Sequence, residues 1–147
     1  LRIAGKEYGA TTKRSRRTGW LDLPLLRYAL QFSSPDVVLT KLDVLDQCDA
    51  IKICTSYRYE GASYRFGNVA LRQGHALLTA IPAAEVLKHC QPVYRTFPGW
   101  KKSLKGITVF DDLPAELKTI LDFVVSEAGI RPRIISVGPD RHETIFV

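Results

Sequence analysis

The chain has 147 residues, 46% of them hydrophobic and 24% charged, proportions ordinary for a soluble globular protein with room for a buried core. No apolar run approaches the length of a membrane span, and the first residues do not form a secretory leader pattern. The net charge of +6 points to an anionic partner: nucleotide, phosphate, carboxylate or nucleic acid.

Residues 5–20, GKEYGATTKRSRRTGW, combine three glycines, small hydroxyl residues and four cations between positions 13 and 17 without apolar period, which predicts a mobile or ligand-ordered loop. LDLPLLRYALQF (21–32) places Leu25, Leu26, Ala29 and Leu30 at helical spacing, with Asp22 as N-cap and Pro24 in the first turn. After the turn Ser33-Ser34-Pro35-Asp36, the run through Val37, Val38 and Leu39 reads as a buried strand over 36–40. Alternation around Gly61 predicts a long β-hairpin, and residues 82–90 a short helix. QPVYRTFPGWKKSLKG reads as one strand and a turn. FDDLPAELKTILDFVVSEAGI predicts a helix capped by Asp112, with Pro114 in its first turn and Gly129 as its stop. RIISVGPDRHETIFV gives two short strands around the loop 138–142. The order of elements predicts an α/β fold with a mixed sheet and flanking helices.

Cys48, Cys54 and Cys90 are odd in number and form no C-x-x-C pair, so free thiols in a reducing cytosol fit better than disulfides or zinc. His75, His89 and His142 are scattered, and we expect no catalytic group or metal ligand in the chain. It contains no methionine and begins at Leu1, from which we expect a piece of a longer translation product. The motifs GxxxxGK[ST], GxGxxG, GxSxG and HExxH do not occur.

Three stretches suggest chemistry. In Thr40-Lys41-Leu42-Asp43 a carboxylate follows a lysine by two positions at a strand end, which would set both on one side. A carboxylate accepts two parallel hydrogen bonds from a planar donor pair, and guanine offers one at N1–H and N2–H₂. The lysine stem can cover the base face while its ammonium stays in water. This is the guanine-reading logic of [NT]KxD in G-protein-like NTPases, although the same four letters also suit a solvated strand end. The cations of 13–17 lie beside Thr11 and Thr12, a mixture that could clamp a small dianion, form a nucleic-acid patch, or make an ordinary basic loop. The turn Ser136-Val137-Gly138-Pro139 brings backbone N–H groups within reach of a ligand, or serves as a plain turn.

Together GKEYGATTKRSRRTGWLDLPLLRYA, LTKLDVLD, FPGWK, DLPAELKTILDFV and ISVGPDRHETI resemble the C-terminal part of the adenylosuccinate synthetase family, in that family's order and near its spacing. The resemblance runs over essentially the whole chain, more loosely at 59–92. It implies the C-terminal part of a P-loop-NTPase-like α/β fold, taken as one segment, 1–147. Within it lie an aspartate or anion loop (1–20), a guanine-reading strand region (36–58) and guanine-closing strands (133–147). The implied activity is GTP-dependent ligation of IMP and L-aspartate to adenylosuccinate in purine biosynthesis. The enzyme would be a cytoplasmic homodimer using Mg²⁺, with no membrane or nucleic-acid partner.

The resemblance also implies residue roles. Ala10, Thr11, Thr12 and Arg14 match the loop that holds aspartate, and Arg14 also the arginine that touches IMP. Arg16 matches an arginine that reaches GTP. Lys41, Leu42 and Asp43 match the guanine reader, and Ser136, Val137 and Gly138 the turn on the other edge of that base. The family's phosphate loop, catalytic aspartate and histidine, and Mg²⁺ ligands lie upstream, so the segment alone would be inactive. Lys13 stands where the family has glycine, and Phe97 where it has leucine.

Two other readings remain. A freestanding guanine-nucleotide-binding domain would use the same residues without the ligation. A basic nucleic-acid-binding module would use the 13–17 cluster, but such modules usually interleave aromatics with the cations. Here Trp20 is the nearest tryptophan, and its place before an amphipathic helix predicts a core role.

Overall fold

The computed structural model describes residues 1–81 and 83–147, so Pro82, first residue of the helix predicted over 82–90, lies outside the described residues. In chain order the elements are β1 (Leu21–Asp22), α1 (Leu23–Ala29), β2 (Asp36–Leu39), β3 (Ala50–Tyr59), β4 (Tyr64–Phe66), β5 (Val69–Leu71), β6 (Ala76–Leu77), α2 (Ala84–Leu87), β7 (Cys90–Pro98), α3 (Ala115–Ala128), β8 (Arg131–Ser136) and β9 (Thr144–Phe146). Short 3-10 turns occupy Leu42–Leu45 and Phe110–Asp112. The elements gather into two compact units. Leu1–Trp20, Pro35–Ile51 and Phe97–Val147 form the first, and Leu21–Ser34 with Lys52–Thr96 the second.

The first unit carries a mixed sheet in the order β2-β8-β9. β2 runs parallel to β8, with Leu39 beside Ile135, and β8 runs antiparallel to β9, with Ile135 beside Ile145. Ile135, Val137 and Ile145 are fully buried. β2 differs from the buried strand expected of its apolar run. It ends the sheet order, its exposure alternates, and Val38 is 56% exposed, because successive side chains point to opposite faces and only the face carrying Val37 and Leu39 is partly covered. α3 buries Leu117, Ile120, Leu121 and Val124, the i, i+3, i+4, i+7 stripe of an amphipathic helix, and the Phe123 and Phe97 rings meet with centroids 5.0 Å apart. The helix stops at Gly129, whose φ of +68° is left-handed and whose N–H donates to Val125 O at 2.9 Å. Asp112 is not its cap. Proline at 114 keeps Leu113 extended at ψ 144°, so Asp112 falls in the preceding 3-10 turn and the helix begins at Ala115.

In the second unit β3 pairs in parallel with β1 and antiparallel with β6, and β7 also pairs with β3. α1 begins as its sequence predicts: Asp22 accepts from Leu25 N–H at 2.9 Å, and Pro24 follows in the first turn. The long hairpin expected around Gly61 does not form. β3 takes β6 as its antiparallel neighbour, with Tyr57 beside Leu77, while β4 and β5 form a small hairpin of their own. Gly67 and Asn68 make its two-residue turn, and Gly67 has a φ of +57°. A Gly-Asn pair closes so tight a turn more readily than a lone glycine flanked by Glu and Ala. Cys54, Tyr57, Tyr59, Leu71, Leu77, Ala80 and Val86 form the core. Burial there pushes the Cys54 thiol up to about 11, helped by the Asp22 carboxylate. It also raises the Tyr57 hydroxyl, which donates to that same carboxylate.

Candidate functional site

Every residue singled out for chemistry lies in the first unit. At the end of β2 the chain does not stay extended. Lys41 adopts φ +66° and ψ 26°, and Leu42–Leu45 closes into a 3-10 turn. The strand period that would set Lys41 and Asp43 on one side therefore does not apply, and the two part company. Lys41 reaches back, donating from Nζ to Gly5 O at 2.9 Å and pairing with Glu7 Oε1 at 3.4 Å. Asp43 faces a recess of about 260 Å³.

Val137 and Gly138 line the same recess, joined by Asp46, Asp140 and Glu143, with Lys105 as its cation. Asp43 and Val137, 94 positions apart in the chain, thus meet because β2 and β8 are neighbours and both end at this place. Leu42 and Ser136 do not line the recess. Ser136 instead donates from Oγ to Gly138 O at 2.8 Å, which shapes the turn. Glu143 holds the turn from its other side. Its backbone O accepts from Val137 N–H at 2.9 Å and its Oε2 from Asp140 N–H at 3.0 Å. A side chain at Gly138 would run into that carboxylate. Asp46 and Glu143 accept hydrogen bonds through their carboxylates, whereas among the described residues the carboxylates of Asp43 and Asp140 have no hydrogen-bond partner.

The 3-10 turn is clasped from behind. Asp46 accepts from the Trp100 indole N–H at 2.9 Å and from Leu104 N–H at 3.0 Å. Gly99 N–H donates to Asp49 O at 3.0 Å, and its α-carbon lies so close to the Cys48 carbonyl that no Cβ fits. The Pro-Gly-Trp segment therefore fixes the turn that carries Asp43.

Residues 5–20 are more ordered than a mobile loop. Tyr8 and Ser15 form a bridge, Gly9 N–H donates to Arg14 O at 2.8 Å, and Arg16 N–H donates to Glu7 O at 3.0 Å. This small hairpin presents Ala10, Thr11, Thr12 and Arg14 at an exposed tip, with Thr12 Oγ1 accepting from Arg14 N–H at 3.4 Å. Lys13 adopts a φ of +54°, a conformation that glycine takes at less cost. Arg16 pairs with Glu7 Oε2 at 3.4 Å. Trp20 is half-buried.

The structure thus gathers Asp43, Val137 and Gly138 at one recess, and Arg16 and Lys41 at one carboxylate. Sequence reasoning missed Glu7, Asp46 and Glu143. One signal was available: a tryptophan N–H in a core needs an acceptor, and Asp46 is the acid beside the motif.

A mixed sheet whose strand ends carry a carboxylate-lined recess, in one unit with a basic hairpin, defines an α/β protein with two polar surfaces of opposite charge. The chain belongs to the adenylosuccinate synthetase family, whose model matches residues 1–145. It is 43% identical over 148 aligned residues to an adenylosuccinate synthetase of Helicobacter pylori, covering all of this chain and 32% of that protein. It is 38% identical to the Borrelia duttonii protein of the same name, covering 99% of this chain and 31% of that one. A solved structure of fully ligated adenylosuccinate synthetase from Plasmodium falciparum superposes with a TM-score of 0.81 at 33% identity, over 99% of this chain and 32% of that one. The chain spans about a third of the length of these relatives.

Proposed function

We propose that this chain is the substrate-binding portion of a GTP-dependent ligase that joins IMP and L-aspartate to form adenylosuccinate. The observation that carries the reading is the Asp43 carboxylate, unpartnered among the described residues, in a recess shared with the Val137–Gly138 turn. Two acceptor oxygens held by a clasped turn match the N1–H and N2–H₂ pair of guanine, and a glycine turn lets backbone reach the other edge of a flat base. Leu42 and Ser136, which do not line the recess, act by setting Asp43 and Gly138. Ala10, Thr11, Thr12 and Arg14, exposed at the hairpin tip, hold the carboxylates of aspartate, with Arg14 also touching IMP. Arg16 turns toward GTP.

Phosphoryl transfer depends on positioning and electrostatic stabilisation, and this chain supplies the positioning of base and amino acid. Among the described residues no three His, Cys, Asp or Glu side chains converge as metal ligands, and these residues do not fit Mg²⁺. On this reading the groups that handle phosphate belong to other parts of the ligase, and we expect the 147-residue chain alone to turn over no GTP. The ligase would be a cytoplasmic homodimer. Among the described residues no helix is long and apolar enough to cross a membrane.

The deciding experiment compares kcat/KM for GTP and XTP in the full-length ligase with and without Asp43→Asn. Xanthine accepts where guanine donates from N2, so asparagine's amide suits it. The GTP/XTP ratio should shift by about 10²-fold or more, since mismatched buried polar groups discriminate strongly. An unchanged ratio overturns the guanine reading.

A further inference from the structure

We propose that Glu7 is a positioning residue that couples the arginine hairpin to the base-reading turn. The inference rests on the guanine reading above but concerns a residue to which that reading gives no role. Glu7 divides its carboxylate between two cations from distant parts of the chain, Oε2 to Arg16 Nη1 and Oε1 to Lys41 Nζ, each at 3.4 Å. Its side chain is 25% exposed, against 58% for Arg16 and 59% for Lys41, so the acid is the fixed member and the two cations the movable ones. Glu7 is fixed by its backbone, which donates to Arg2 O at 2.9 Å and accepts from Arg16 N–H at 3.0 Å.

Both pairs are longer than a tight charge-assisted bond. That length leaves each cation free to shift toward a ligand while Glu7 still holds the other. Lys41 has a second tether, Gly5 O at 2.9 Å, and its left-handed backbone aims the side chain away from the Asp43 recess and toward the hairpin. A ligand group that draws Arg16 away leaves the whole carboxylate to Lys41, and the reverse holds equally. The two cations therefore act as one unit through Glu7, and neither contributes its full effect once the other is gone.

The test is a set of GDP dissociation constants in the full-length ligase for Arg16→Ala, Lys41→Ala and both together, each with and without Glu7→Gln. With Glu7 present, the double substitution should weaken GDP by about two- to fivefold less than the product of the single effects, the range that coupled charge pairs show. With Glu7→Gln, the product rule should hold. The melting temperature of Glu7→Gln should stay within about a degree of the parent, as expected for a partly exposed substitution. A role confined to folding would lower that temperature and leave the product rule unchanged. A product rule obeyed in both backgrounds overturns the coupling, and so does a departure that survives Glu7→Gln. Failure of the unsubstituted ligase to bind GDP overturns the guanine reading, and the coupling with it.

Discussion

Trp100 donates its indole N–H to Asp46 Oδ1 at 2.9 Å, across 54 residues of chain. The indole is only 3% exposed, so no water replaces that acceptor, and the second oxygen of the same carboxylate binds Leu104 N–H at 3.0 Å. Asp46→Ala strands a buried donor and frees the turn that carries Asp43. Hydrogen bonds to a charged acceptor contribute about 1.5–3 kcal/mol, and we expect a loss of about 2–4 kcal/mol in urea unfolding, together with a raised KM for GTP. A loss below about 1 kcal/mol would show that the clasp is incidental.

Lys13 occupies left-handed backbone at φ +54° in an exposed turn. Glycine carries no Cβ penalty there, which for other residues is about 1 kcal/mol, partly offset by glycine's greater freedom in the unfolded chain. Lys13→Gly should raise stability by about 0.5 kcal/mol, and Lys13→Ala, which removes the same charge but keeps the Cβ, should not. Equal effects of the two variants in thermal melts would assign the result to charge rather than to backbone conformation.

Arg14 stands exposed at the hairpin tip, where its guanidinium is available to a dianion. Arg14→Ala in the full-length ligase should raise the KM for aspartate roughly 10- to 150-fold, the loss of a charge-assisted bond of about 1.5–3 kcal/mol. The preference for GTP over XTP should be unaffected. An unchanged aspartate KM would remove the hairpin from the amino-acid site.

Cys54 and Tyr57 give the second unit an alkaline limit. Both are held neutral by burial beside Asp22, with Cys54 raised from 9.0 to about 11 and Tyr57 raised as well. A folded-state value above the unfolded one contributes stability that is complete below about pH 9 and lost as pH rises through about 11. Thermal stability should therefore fall between those limits. The fall should flatten in Cys54→Ala, with a second, more alkaline part removed by Tyr57→Phe. A profile unchanged in both variants would place the alkaline limit elsewhere.

Some of this molecule was decided by local sequence. Asp22 with Pro24 starts α1, Gly129 ends α3, and the spacing of Leu117, Ile120, Leu121 and Val124 makes one helix face apolar, because capping and periodicity act within a few residues. Asp43 and the 136–138 turn were also recognisable as candidates, since their residue types state their chemistry. Tertiary structure decided the rest. Which strand β3 pairs with depends on competition between distant partners, so the hairpin placed at Gly61 appears instead at Gly67–Asn68. Lys41 and Asp43 look like a single reader in the sequence, yet they turn to different surroundings. A left-handed residue followed by a 3-10 turn breaks the strand's alternation, and a glutamate 34 positions upstream offers the lysine a charge that no local pattern reveals.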